Sequence, residues 1–540
     1  MHKKSINLFT IISYLFLFII PDLQANNHNT LESVITKTGK YEIVINDLNI
    51  CIDARMELLF IIQYLSDDYP LINNFDIKYK DEIEQWFEPY KNHEVITKYN
   101  EMWPKGFNYD APPASMLYYS YELKPVREFT PYLIERGGGK ESMDKFSSLL
   151  YDFAKKSDFQ KFFEDHGELY TVILTDLKYN LKGFNEISAI EEYFGKSNKS
   201  YTVILTPLGQ GNYGPRVKTK DGMEIYSING ARGQNGDIPC FGDLSGFEYL
   251  IWHEFGHSFV NPLTEKNTKQ VNKVESLFEP IQDKMSEMAY GDWKTTVNEH
   301  IIRAYTARLG SLKYGEEEEI QSLGRDYGRG FVYVKKINDK LKEYENNREK
   351  YKSFEDFYPV LIKSFQSYTY EGGEIISTIN DASGKTPVII VPTAESDKDA
   401  QNKIQEFVQG FKNSFYKKGE LITDAEALNR DLSDANIIVF GTVEGNLWLK
   451  KHINKLPVIF GKNSITTDKE YKGENLRFIS AWMNPENPKN NIRIYTAIHA
   501  IDIVNINGVF HGPTNYVIAD KYEVLKSGYY SKENNKWKFL

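Results

Sequence analysis

Cysteine is scarce: 540 residues contain two, Cys51 and Cys240. That excludes a disulfide-rich scaffold and any CxxC zinc module, and leaves at most one bridge, whose formation spacing alone does not decide. No long Lys/Arg block occurs. With 65 Lys+Arg against 75 Asp+Glu, the formal charge is −10, which argues against nucleic acid as a partner. Beyond residue 25 no apolar run approaches the roughly 20 residues of a membrane span, so none is expected in the mature chain. Internal repeats and low-complexity linkers are also missing. What remains is ordinary globular composition, 41% hydrophobic and 26% charged, in a chain long enough for about three units.

The N-terminus pairs a basic start (His2, Lys3, Lys4) with a mostly apolar stretch from Ile6 to Ile20 and the small residue Ala25. This is the layout of a secretory signal peptide over 1–25 cleaved near Ala25, the rival being an uncleaved anchor. The mature protein is therefore expected to be exported, periplasmic or secreted. Tyr41–Ile45 reads as a strand and Asp53–Leu65 as a helix. Tyr201–Leu205 is β-branched and apolar enough for a buried strand, and another is expected near Met223–Ile228. Between them lies the Gly-rich stretch Gly209–Gly214. No Lys-Ser/Thr follows it, so it is no phosphate loop; it reads as a plain loop, or as cleft backbone able to pair with an extended peptide. Glu316–Glu319 reads as a solvated helix face. After residue 385 short β-rich runs (387–393, 436–442, 457–460, 476–482, 492–498) suggest a separate α/β domain with a largely parallel sheet. Gly441–Asn446 there lacks the dinucleotide fingerprint.

The chemistry concentrates in His253-Glu254-Phe255-Gly256-His257, an H-E-x-x-H motif. Two His four apart share one side of a helix, so both imidazoles reach one ion. Glu254, one position on, can stand beside the open site as general base for an attacking water. With 10 His and 45 Glu in the chain, chance gives ~0.015 such matches. Ser245-x-x-Glu248 fits a capping box, and Phe247, Ile251, Phe255 and Phe259 form an apolar stripe that both His avoid. Asn261-Pro262 is expected to end the helix. Imidazole and carboxylate ligands suit one Zn²⁺ per chain.

Val260 and Leu263 exclude the extended motif with a third His. A Glu from a later helix is the other solution, and Glu275, Glu279, Glu287 and Glu299 are candidates. Glu299 is favoured because 296–305 is amphipathic, although Thr296-x-x-Glu299 is also a capping box that would employ the same carboxylate. Arg303 follows Glu299 by four and reads either as an ion-pair partner or as a residue that orients Glu299 or binds a substrate carboxylate. Tyr305, His300, Tyr290 and Arg303 are candidate donors to transition-state charge.

With HEFGH and the downstream Asn298-Glu299, the chain resembles gluzincin-type zinc metallopeptidases. The resemblance implies a mixed sheet beside two helices, zinc on His253, His257 and Glu299, and Glu254 as base. It departs where the thermolysin-like pattern has Asp and this chain has Arg303. More closely, Asp53–Leu59 (DARMELL) and His253–Pro262 (HEFGHSFVNP) resemble a bacterial family of exported HExxH proteins without an established substrate. The expected architecture is an α+β zincin-like catalytic domain, with residues 26–200 as its N-terminal part and 201–384 as the metal-binding core. A C-terminal α/β accessory domain over 385–540 follows. The expected activity is hydrolysis of a peptide or protein substrate. The alternatives are a zinc hydrolase of a non-protein amide or ester, and a binding protein whose zinc site is inactive or structural.

Overall fold

A computed structural model describes residues 34–66, 71–368, 376–384, 386–511, 514–533 and 536–539, so the expected leader at 1–25 lies outside the described residues. By internal contacts the chain divides into two units, one ending at Phe259 and the other beginning at Val260.

In the first unit seven strands form one sheet. β1 (Ile35–Lys37), β2 (Lys40–Ile45) and β3 (Leu48–Asp53) run as an antiparallel meander, and β4 (Ser200–Thr206) and β7 (Gly222–Gly230) continue it in parallel. The central strands are buried on both faces, with the adjacent pairs Ile50 and Cys51, and Val203 and Ile204, at most 2% exposed. That is why they read as continuous apolar runs rather than alternations. β5 (Asn212–Tyr213) and β6 (Arg216–Thr219) both pair antiparallel with β7, at Tyr213↔Ile228 and Arg216↔Ile225. They form a sheet edge interrupted at Gly214-Pro215, where the Tyr226 N–H donates to the Pro215 carbonyl at 2.9 Å. A proline suits an edge, which needs no donor on its outer side.

Helix Ala54–Leu65 starts on the Asp53 side chain, which accepts from the Arg55 N–H at 2.9 Å. Its apolar residues from Met56 to Ile62 are fully buried. Glu57 is buried among them and receives the Tyr79 hydroxyl at 2.6 Å; burial pushes its carboxyl up to about 8. Cys51 is buried in β3 and Cys240 is partly exposed; both are free thiols.

The second unit opens with helices, chief among them Trp293–Tyr314, Glu316–Gly328 and Val334–Asn346. Glu319 is not the solvated residue that the acidic run suggests. It turns inward to Arg308, and Asn338 Nδ2 donates to it at 2.7 Å. Its neighbours Glu316 and Glu317 stay exposed, their charge favourable at a helix N-terminus.

The C-terminal sheet has seven strands, and parallel pairing covers half of it. Glu420–Thr423, Val388–Val391, Ile437–Phe440 and Asn491–Ala497 are parallel neighbours. Leu476–Met483, Tyr516–Asp520 and Glu523–Gly528 extend the sheet antiparallel. The expectation of a largely parallel sheet fails for a reason of length: residues 484–490 are too few for the crossover that a parallel pair requires. The run at 457–460 contributes only Ile459–Phe460, to a separate three-stranded sheet. Among the described residues no helix is long and apolar enough to cross a membrane.

Candidate metal centre

The motif lies on helix Leu244–Lys266. Asp243, not Ser245, occupies its first turn as cap, accepting the Gly246 N–H at 2.9 Å. Both side chains can cap, and the helix begins one residue before the serine. The apolar stripe anchors the helix: Phe255 meets Tyr201 of β4 at 5.3 Å, and Phe259 stacks on Phe194 at 4.3 Å. Trp252 Nε1 donates to Glu186 at 3.0 Å. His253 and His257, off this stripe, are half-buried with ring centroids 5.0 Å apart.

The helix does not stop at Asn261-Pro262 but runs to Lys266 with Pro262 inside it. The backbone hydrogen bond lost at proline is offset by what the extra turn buries. Leu263 and Thr264 are buried, and Thr264 Oγ1 bonds to Asn298 Oδ1 and, at 2.5 Å, to the Tyr358 hydroxyl. Thr264 stands seven residues after His257, two helical turns on the same face. The hydroxyl that grips Asn298 therefore points the way the imidazoles point, toward the neighbour of Glu299.

Helix Trp293–Tyr314 begins on Asp292, whose carboxylate accepts the Thr295 N–H at 3.0 Å. Glu299 is thus in the second turn, and the capping-box use of its carboxylate does not occur. One ring nitrogen each of His253 and His257 and one carboxylate oxygen of Glu299 lie within 4.8 Å of one another. Two imidazoles and a carboxylate are a donor set that fits zinc with a position left open. Glu275, Glu279 and Glu287 are exposed and stand outside this group.

Glu254 is 8% exposed. It is packed against the sheet edge: a Cβ at Gly214 would fall 2.4 Å from the Glu254 carbonyl oxygen and 3.1 Å from Oε2. Glycine is required there by close approach alone. The Gly-rich stretch therefore borders the motif Glu, and part of it is strand rather than plain loop.

Arg303 donates through Nη2 to Glu299 Oε2 at 3.2 Å and through Nη1 to Asp326 Oδ1 at 3.0 Å. Its guanidinium lies 4.0 Å over the Phe331 ring. The i, i+4 ion pair is thus one half of a bridge between two carboxylates. His300 is in the core, its Nδ1 donating to the Thr296 carbonyl at 2.8 Å, and burial lowers its pKa to about 4. Tyr305 is fully inaccessible. Tyr290 is half-buried and hydrogen-bonded to Arg303; burial, assisted by Glu299 and opposed by Arg303, pushes its hydroxyl up to about 12. Asp326 escaped the sequence reading, whereas Gly214 entered it as the end of the stretch read as a plain loop or as cleft backbone. The one signal for Gly214 was its place in a Gly-rich stretch before the motif, and for Asp326 there was none.

The nearest thing to a phosphate loop, Gly441–Asn446, is filled from within. Glu395 accepts the Thr442 N–H and hydroxyl, both at 2.7 Å, and a Cβ at Gly445 would lie 1.9 Å from its carboxyl carbon. A carboxylate in that place repels an anion.

A family model described as "Domain of unknown function (DUF4932)" matches residues 133–364, a span that holds the motif helix, Glu299 and Asp326 and ends before the C-terminal sheet. No curated protein and no solved structure matches the chain.

Proposed function

We propose that this protein is an exported zinc-dependent peptidase of zincin-like fold, with His253, His257 and Glu299 as metal ligands and Glu254 as general base. The observation that carries the reading is the convergence of two motif imidazoles and a carboxylate from a separate helix within 4.8 Å. When bound, zinc supplies a Lewis acid and lowers the pKa of water toward about 7. The Glu254 carboxylate takes a proton from water as its oxygen adds to the peptide carbonyl carbon. Glu254 then returns that proton to the amine nitrogen as the C–N bond breaks. Tyr290, half-buried beside Glu299 and Arg303, is the better placed of the candidate donors to the carbonyl oxygen. His300 and Tyr305 are enclosed by the core.

A peptide substrate is favoured over a small amide or ester by the edge formed by β5 and β6. It passes Glu254 at Gly214, and an edge strand can pair with an extended chain. Export rests on the leader pattern at residues 1–25.

The test is mass spectrometry of a peptide library incubated with the zinc-loaded protein beside Glu254→Gln. Cleavage by the first, reduced about 10²–10⁴-fold in a variant that still holds zinc, is the expected result. Cleavage retained by the variant removes Glu254 as base. Cleavage by neither moves the substrate to a non-protein amide or ester, or the centre to a structural role.

A further inference from the structure

Arg303 occupies an unusual place for a cation. Its side chain is 11% exposed, that of Glu299 is 7%, and that of Asp326 is 6%. Its Nε is buried without a hydrogen-bond partner. A buried ion pair with an unsatisfied donor is a poor stabilising device, since an apolar residue of similar size does as well. A positive charge on a metal ligand also opposes metal binding. Both costs call for a compensating use, and the geometry supplies one.

A glutamate can meet a metal ion with one oxygen or with both. Arg303 engages Glu299 Oε2, and Asp326, from the next helix, pulls on the other arm of the same planar fork. Phe331 closes the face of the guanidinium. The fork cannot swing away without breaking its bond to Asp326, so Oε2 stays turned toward Arg303. Asp326 also neutralises the charge that would otherwise repel the ion.

We propose that Arg303, fixed by Asp326, is a positioning residue that restricts Glu299 to one-oxygen ligation and so keeps a coordination position of the metal open. The inference rests on the metal reading of His253, His257 and Glu299, and goes beyond it by assigning the two residues that set the coordination number.

The experiment is reconstitution of the full chain with Co²⁺, read by visible absorption, and with Zn²⁺, read by X-ray absorption. It compares wild type with Arg303→Met and with the pair Arg303→Met/Asp326→Asn. The pair variant removes the charge that the single variant strands at Asp326 and leaves only Glu299, whose carboxylate the bound ion compensates, so it reports if the single variant fails to fold. The expected result is a loss of Co²⁺ visible intensity and a gain of one oxygen neighbour on zinc, as Glu299 closes on the ion with both oxygens. A folded pair variant with the wild-type spectrum and oxygen count overturns the proposal while leaving the metal site intact. A wild-type chain that binds no metal, or binds it equally well after Glu299→Ala, overturns the metal reading and this inference with it. A purely structural role for Arg303 would lower the unfolding midpoint and leave both spectra unmoved.

Discussion

Two buried arginines lie five residues apart on helix Trp293–Tyr314, and each bridges two carboxylates. Arg308 grips Glu345 with both arms of its fork, Nε at 2.8 Å and Nη2 at 2.7 Å, and its third nitrogen reaches Glu319. Glu319 is further held by Asn338 and Lys342. Arg303 makes one longer contact to each of its acids, 3.2 and 3.0 Å, and leaves Nε without a partner. The first network engages every nitrogen of its arginine and ties three helices together. The second does less for the fold and ends on a carboxylate that faces two imidazoles. Similar residue types in similar burial thus serve different ends, and the quality of the hydrogen bonding tells them apart.

The comparison can be broken in four ways, the first three in order of decreasing effect. Glu299→Ala should abolish stoichiometric zinc at the centre, read by elemental analysis after dialysis, whereas Arg308→Met should leave zinc content unchanged. Arg308→Met should instead cost about 3 kcal/mol in urea unfolding, because two acids lose a buried partner. Gly214→Ala should retain zinc and lower turnover. Its methyl group meets the Glu254 carbonyl at 2.4 Å, and relieving an overlap of that kind costs about 1–3 kcal/mol. The last involves a carboxyl held by the Tyr79 hydroxyl rather than by a cation. Glu57 has a folded pKa raised to about 8, so the folded state binds its proton more tightly than the unfolded state does. Stability should therefore fall as pH rises from about 4.5 to 8, by at most about 1.4 kcal/mol per unit. In Glu57→Gln, urea unfolding across that range should lose this slope.

How much of this was legible depended on how far apart the partners lie in sequence. His253, Glu254 and His257 are related by helical spacing, and a motif of five residues carries its own geometry. The buried strand at 201–205 and the helix from Asp53 declared themselves through their apolar residues. Glu299 could be nominated as one of four acids; only Asp292 taking the cap, and Asn298 meeting Thr264, separated it from its rivals. Asp326 was beyond reach, since nothing in a pattern of residues states which turn of one helix packs on which turn of the next. Pro262 misled because the rule for proline concerns the backbone bond it removes, while the outcome was decided by the side chains the extra turn buries. The C-terminal sheet shows the opposite failure: the short connection at 484–490 was there to be counted.

Thr264 has one more implication, for what lengths of chain the centre tolerates. A helix advances 1.5 Å and turns 100° with each residue. Inserting one residue between His257 and Thr264 would swing the imidazoles a quarter-turn or more away from the face that the Asn298 contact defines. Deleting one would do the same in the other sense. The seven-residue step from His257 to Thr264 is therefore a fixed gauge, and a change of length there displaces imidazoles that an exchange of side chain within the step leaves in place.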